Sequence, residues 1–298
     1  AVALAPASGA DEAPAAGPDW ALRPPDAAAG PPGALRRVLR FGAVNLLGGV
    51  LWLAAGYVSF WLASKEYGQA EAGLFNAFLR LGQPLALLAN AAWAVVFTHV
   101  ARRWEQGQPK WALQALQTAY KGVALSVTTL TLVAHVTAPL WVRVLPAEYH
   151  RGLGLVGGLL MFFQVVTNLS LVAMLAKLRE RPAVIALTAL GGAAANVALA
   201  RWWMPAAGAA GAAWAAGAGM YVGGTAVGAA YLLAARIRLG AGTWLVLLSP
   251  AVLGLLAVSV PAAAGAWAAV LAAAVLTPWV FSRHEKALIR AFAARLAA

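Results

Sequence analysis

The residues best suited to chemistry form a polar stripe within one apolar segment. Asn76, Arg80, Gln83 and Asn90 follow one another at intervals of four, three and seven positions, which places them on one face of an α-helix. An arginine guanidinium binds phosphate oxygens through two parallel hydrogen bonds, and an ionisable residue within a membrane span marks a functional site by default. The stripe therefore predicts a helix that lines a water-filled cavity and binds an anion at Arg80. In the alternative interpretation, Arg80 extends to the outer membrane surface and the amides bond to neighbouring helices.

Smaller features accompany this stripe. Pro84 lies beside it and is expected to kink the helix or to free a carbonyl group. Lys121 and His135 share a face of the next apolar segment, at two steps of seven, and we include both as candidate cavity residues. In the alternative interpretation, Lys121 lies at the cytoplasmic interface of the membrane and His135 contacts a neighbouring helix. Gln164 and Asn168, four positions apart, are predicted to hydrogen-bond between helices.

Several classes of chemistry are excluded. The chain has no Cys, so it has no disulfide, thiolate metal site or thiol nucleophile. Its four His residues are widely separated, and no metal or cofactor is predicted. No serine–histidine–acid constellation or facing pair of carboxylates is expected at one membrane depth, so we do not predict an enzyme. Every Asp and Glu falls outside the apolar segments, and a proton or sodium relay built on buried carboxylates is therefore absent.

The elements that must position these residues are transmembrane helices. Of the 298 residues, 62% are hydrophobic and 11% charged, whereas soluble domains are about 45–50% apolar and 25% charged. Crossing a hydrocarbon core of about 30 Å takes about 20 residues, and helices satisfy their own backbone groups in lipid. The composition predicts an all-α, polytopic transmembrane bundle of about eight helices, at residues 41–62, 74–99, 118–142, 153–176, 183–203, 208–235, 243–260 and 264–282.

The helical domain is expected to span residues 35–282, between two tails. Residues 1–34 are rich in Ala, Pro and Gly and are predicted to be a disordered cytoplasmic tail. Residues 283–298 form a basic cytoplasmic tail. The chain begins with Ala rather than Met, which indicates a processed start or a piece of a longer protein.

The net charge of +12 reflects orientation in the membrane. With the N-terminus in the cytoplasm, 17 of the 22 basic residues fall on the cytoplasmic side. The positive-inside rule then places both termini in the cytoplasm, in an inner membrane, and no nucleic-acid partner is predicted. The remaining five basic residues are Lys65, Arg80, Arg143, Arg151 and Arg201.

Three segments resemble a known family. Ala63–Arg103, ASKEYGQAEAGLFNAFLRLGQPLALLANAAWAVVFTHVARR, resembles the seventh-to-eighth helix region of polysaccharide flippases in the MOP (multidrug/oligosaccharidyl-lipid/polysaccharide) superfamily. Asn196, followed by MPAAGAAGAAWA at Met204–Ala215, is similar to the stretch joining that family's eleventh and twelfth helices. Ser282–Phe292, SRHEKALIRAF, is similar to the basic tail after its last helix.

The resemblance implies a fold and a function. Eight helices would be the C-terminal lobe of an O-antigen flippase-like protein plus two extra helices, with residues 1–34 as inter-lobe linker. The partner would be the missing N-terminal lobe or a second half-size subunit. The substrate would be a polyprenyl-diphosphate-linked oligosaccharide, which would cross the cytoplasmic membrane by alternating access for cell-surface polysaccharide biosynthesis. Membrane lipids would surround the protein. Arg80 matches a cavity arginine of lipid II-type relatives, whereas Gly56 and Tyr57 stand near where an acidic residue is frequent.

Two other functions stay open at this point. One is drug export by a member of the same superfamily, and the other is a non-transporting membrane scaffold or assembly partner. The candidate substrate-binding residues are Arg80, Asn76, Gln83, Asn90, Lys121 and His135.

Overall fold

The computed structural model describes residues 31–287 and 289–290, and the regular structure within them is helical throughout. Most of the predicted tail 1–34 lies outside these residues, although the first helix already begins at Pro31. The helices are α1 (Pro31–Tyr67), α2 (Gln69–Glu105), α3 (Pro109–Val136), α4 (Ala138–Trp141), α5 (Leu153–Leu178), α6 (Ala183–Gly219), α7 (Thr225–Ala234), α8 (Ala241–Leu248), α9 (Ala251–Gly254) and α10 (Val260–Leu276). One turn of π-helix, Met220–Gly224, joins α6 to α7.

Two glycines separate the first three helices. Gly68 has φ 83° and Gly107 has φ 75°, in the left-handed region that glycine adopts without steric cost. Each ends one helix and lets the next begin within one to three residues. As a result, α1, α2 and α3 run up and down side by side, and α1 and α2 form a helical hairpin.

The helix α6 folds back on itself at Gly208, where φ is 60° and ψ is −142°. Beyond this point the returning limb packs tightly on the outgoing limb, because a Cβ on Gly223 would meet the backbone of Gly191 and one on Gly219 would meet that of Asn196. Glycines at these positions thus allow the two limbs to approach closely. The two limbs correspond to the predicted spans 183–203 and 208–235.

The number of long spans differs from the prediction. Within the described residues, five helices are long and apolar enough to cross a membrane, and the last of them covers both limbs of the Gly208 fold, Ala183–Ala234. The last two predicted spans are shorter apolar helices, Ala241–Ala257 and Val260–Leu276. The first is interrupted after Leu248, where Pro250 lacks the N–H that a continuing helix needs.

The helix α5 lies at the centre of the bundle, whereas the α1–α2 hairpin lies at its edge. In the most apolar window of each helix, 78% of residues are buried for α5 but only 22% for α1 and 17% for α2. The hairpin is fixed to α6 by two hydrogen bonds, from Ser59 Oγ to Asn196 Oδ1 (2.8 Å) and from Tyr67 Oη to the Met204 carbonyl (2.6 Å). It therefore has a defined position while much of its surface is uncovered.

Alternation of the helices gathers most basic residues at one end of the bundle, which we call the basic end. This end holds the start of α1, the α2–α3 connection and residues 179–182, 235–240 and 277–290. Gly240 N–H donates to Gln117 Oε1 and Lys121 Nζ donates to the Val280 carbonyl, which holds residues 240 and 280 beside α3. The grouping agrees with the predicted allocation of basic residues to one side.

Candidate functional site

The four residues of the polar stripe lie on the uncovered side of α2. Arg80 and Asn90 are exposed, and Asn76 and Gln83 are partly exposed. The adjacent side of the helix is buried through Phe75, Phe78, Leu79, Gly82, Ala89 and Trp93. Within residues 31–287 and 289–290, no hydrogen bond or ion pair involves the four polar side chains. Among the described helices, the stripe is thus a free polar surface and not a set of interhelical contacts.

The depth of the stripe follows from the length of the helix. With 37 residues, α2 is about 55 Å long at 1.5 Å per residue, so it extends past both sides of a hydrocarbon core of about 30 Å. If the helix is centred in the membrane at Leu87, Arg80 lies about 10 Å from the midplane and Asn90 about 5 Å. Asn90 is therefore too deep for its amide to reach the membrane surface.

The first helix contributes a residue that the sequence analysis did not single out as a site. Because α1 and α2 are antiparallel about Gly68, Tyr57 is level with Leu79 and within one residue of the height of Arg80. The same register brings Phe60 and Phe75 together, with ring centroids 6.5 Å apart. Tyr57 is 36% exposed and meets Phe60 edge-on, so its phenol lies on the uncovered side of the hairpin. Tyr57 is one of several aromatic residues of α1, and nothing in their spacing distinguishes it, so no sequence signal could have identified it.

An apolar strip runs along α2, about a third of a turn around the helix from the polar stripe. Leu81, Leu88 and Val95 recur at steps of seven and are 46%, 60% and 64% exposed. Next to them, a crevice of about 270 Å³ opens at Pro84, between α2 and the α3–α5 region, and its lining carries no charged side chain. Pro84 also lacks the N–H that would bond the Arg80 carbonyl in a regular helix.

Lys121 lies apart from the stripe. Its side chain is 7% exposed, and Nζ is 2.6 Å from Glu285 Oε1, 2.7 Å from Glu285 Oε2 and 2.9 Å from the Val280 carbonyl. Thr118 Oγ1 donates to the same carboxylate at 2.5 Å. Burial raises the pKa of Glu285, but the hydrogen bonds from Lys121, Thr118 and the Ser282 N–H outweigh it and hold that pKa below its ordinary value. Lys121 therefore joins α3 to the C-terminal segment.

His135 also contacts other residues than the stripe. Its ring lies against Gly157 of α5, beside the Trp214 ring on the returning limb of the Gly208 fold, and its Nδ1 is buried without a partner in the described part of the chain. The structure thus brings Asn76, Arg80, Gln83 and Asn90 together on one surface and leaves Lys121 and His135 in the bundle.

The predicted hydrogen bonding of Gln164 and Asn168 between helices is confirmed. Gln164 Nε2 donates to Thr128 of α3, and Asn168 Nδ2 donates to the Val246 carbonyl of α8 at 3.1 Å. Both side chains are fully buried, so these bonds link the central helix to its neighbours.

No family model, curated protein or solved structure matches the chain. The resemblance to MOP flippases therefore depends on its quoted motifs, and a function has to be argued from the α1–α2 surface. Among the described residues, no group of three His, Asp or Glu side chains is arranged to hold a metal ion.

Proposed function

We propose that the chain is one half of a membrane flippase, which moves a polyprenyl-diphosphate-linked oligosaccharide across the cytoplasmic membrane by alternating access. The second half, an N-terminal lobe or another half-size subunit, would cover the uncovered side of the α1–α2 hairpin. In this proposal the short helices 241–257 and 260–276 complete eight crossings. The basic end, with both termini, faces the cytoplasm.

The observation that carries the proposal is the free polar stripe at mid-depth. Moving an amide into hydrocarbon without a hydrogen-bond partner costs about 4 kcal/mol or more. Asn90 has no partner among the described residues and lies about 5 Å from the midplane of a membrane centred on α2. Water, substrate or a second protein surface must therefore face this side of the helix.

The two parallel strips on α2 fit an amphiphile. Arg80 would bind the diphosphate through its planar set of N–H donors. Gln83, Asn90 and Tyr57 would hydrogen-bond sugar hydroxyls, and the Leu81, Leu88 and Val95 strip would contact the polyprenyl chain. Rocking of the two halves would then expose the same stripe to each side of the membrane in turn.

Cysteine labelling tests whether the stripe faces water. The chain has no native Cys, so Gln83→Cys and Asn90→Cys each add a single thiol. Leu130→Cys is the matched control, because Leu130 is 46% exposed on α3 and lies at about the height of Pro84 across the Gly107 turn. We expect a membrane-impermeant maleimide to modify positions 83 and 90 in intact membranes and to spare position 130. Protection of 83 and 90 to the same degree as 130 would contradict an aqueous cavity and favour a scaffold.

A binding and export assay tests the role of Arg80. Hydrogen bonds to charged groups contribute about 1.5–3 kcal/mol each, so Arg80→Ala should weaken binding of the polyprenyl diphosphate by about 10- to 150-fold. Export of the linked oligosaccharide should be lost in the same variant. Arg201→Ala removes the same charge from an exposed position on α6 and should leave both unchanged. Normal binding and export by a folded, inserted Arg80→Ala protein would remove Arg80 from the mechanism.

A further inference from the structure

Seven arginines lie on three adjoining elements at the basic end of the bundle. We call them the arginine cluster: Arg36, Arg37 and Arg40 at the start of α1, Arg179 and Arg181 after α5, and Arg236 and Arg238 after α7. Two contacts join the elements, an ion pair between Arg37 Nε and Glu180 Oε2 (2.7 Å) and a hydrogen bond from Arg179 Nη1 to the Ala235 carbonyl (3.1 Å). Glu180 is the one acidic residue on these three described elements, and Arg37 already binds it.

The loops after α5 and α7 each carry a charged residue at a position that suits glycine. Glu180 and Arg236 have φ 52° and 51° and are the non-glycine residues with positive φ in the described chain. Each stands at the C-terminal end of a helix, where a hydrogen bond joins residues five positions apart. These bonds run from Arg181 N–H to Ala176 O (2.7 Å) and from Ile237 N–H to Leu232 O (2.9 Å). Glycine is the usual residue at such a position. The chain contains 30 glycines, but none stands at either of these two positions. Backbone strain of this kind clusters at binding and switch sites, so these two positions are consistent with a function at this end of the bundle.

We propose that the arginine cluster binds the phosphate group of an anionic phospholipid. The cluster lies where helices of a membrane bundle meet the bilayer surface, so lipid headgroups are its immediate neighbours. Guanidinium groups bind phosphodiester oxygens through paired hydrogen bonds, which a cluster made only of arginine favours. Arg40 and Arg181 are exposed, and within the described residues neither side chain has a hydrogen-bond or ion-pair partner. Orientation in the membrane requires basic residues at this end, but it does not require their concentration on three adjoining elements.

A lipid titration of the purified full chain tests this site, independently of transport. Unfolding temperature in an uncharged detergent is measured against phosphatidylglycerol and against phosphatidylcholine, since a bound lipid raises it. We expect a saturable rise with phosphatidylglycerol only. A hydrogen bond to a charged group changes affinity by about tenfold or more, so Arg40→Gln with Arg181→Gln should raise the apparent Kd by about a hundredfold.

The matched control is Arg102→Gln with Lys110→Gln. These residues are exposed near the α2–α3 connection, at the same end of the bundle but outside the arginine cluster, and the double variant removes the same charge. Its apparent Kd should stay close to that of the unmodified chain. Equal loss of affinity in the two double variants would overturn the proposal, because it would show general attraction to basic groups. The same rise in unfolding temperature with inorganic phosphate alone would also overturn it.

Discussion

Replacement of Glu285 by Gln should destabilise the contact between α3 and the C-terminal segment. The Lys121 and Glu285 side chains are 7% and 16% exposed, and the ammonium contacts both carboxylate oxygens. Gln keeps the size of the side chain and an acceptor for Lys121, but it leaves a buried ammonium without a counter-charge. Removing one partner of a fully buried pair costs about 3–5 kcal/mol. Because Glu285 retains some contact with solvent, we expect a loss of about 2–3 kcal/mol.

The pairwise part of this effect can be isolated with a double-mutant cycle. Lys121→Met with Glu285→Gln removes both charges, so the double variant should be more stable than the sum of the single changes predicts, by about 1 kcal/mol or more. Lys110→Met removes an exposed lysine of α3 and should change stability by less than about 0.5 kcal/mol. Unfolding in detergent can be followed by the fluorescence of the tryptophans. Additive single changes would refute a direct interaction between Lys121 and Glu285.

The Lys121–Glu285 pair also makes the stability of the chain depend on pH. Hydrogen bonds hold the pKa of Glu285 below its ordinary value of 4.5, despite the opposing effect of burial. A carboxyl group with a lowered pKa in the folded state contributes stability above its unfolded pKa and loses it as the pH falls through the folded one. The unmodified chain should therefore lose stability below about pH 4.5 at this site, and the Glu285→Gln variant should lose less over the same range.

The fold at Gly208 gives two further predictions, both measured as changes in unfolding free energy in detergent. Gly223→Ala should destabilise by about 1–3 kcal/mol, because the new Cβ meets the Gly191 carbonyl, whereas Gly265→Ala adds a Cβ in open space on α10 and should be neutral or stabilising. Equal effects of the two would contradict tight packing of the limbs. Gly208→Ala should cost about 1–3 kcal/mol although space is free around it, because φ 60° with ψ −142° strains any residue with a Cβ. An unchanged stability would show that the chain can reverse there in another conformation.

The polar stripe could be predicted because it depends on one helix. Intervals of four, three and seven put Asn76, Arg80, Gln83 and Asn90 on one face of any α-helix, whatever packs around it. The prediction of Lys121 as a cavity residue, in contrast, depended on what packs against α3. Its partner Glu285 is 164 positions away and lies in a segment predicted to be a separate tail. Periodicity on α3 cannot reveal that contact, since it forms only when the chain returns from α10.

The membrane spans were likewise predictable only in part. Hydropathy located every apolar segment, because the requirement for apolar residues in lipid acts on each segment by itself. It did not show that residues 241–257 break after Leu248, although it did separate residues 183–203 from residues 208–235, the two limbs that meet at Gly208. Breaks of this kind depend on single Pro and Gly residues. A window of about 20 residues averages them away.

The burial and polarity of the α1–α2 surface support the proposed second half of the flippase. A helix whose uncovered side faces lipid should be apolar there, as the strip of Leu81, Leu88 and Val95 is. Asn90 belongs to the same helix and has no partner among the described residues. Its amide could be accommodated in lipid only at a cost of about 4 kcal/mol or more, comparable to much of the stability of a domain. In the proposed flippase, α2 would therefore face two environments, lipid on the leucine side and a wet or protein-covered space on the amide side.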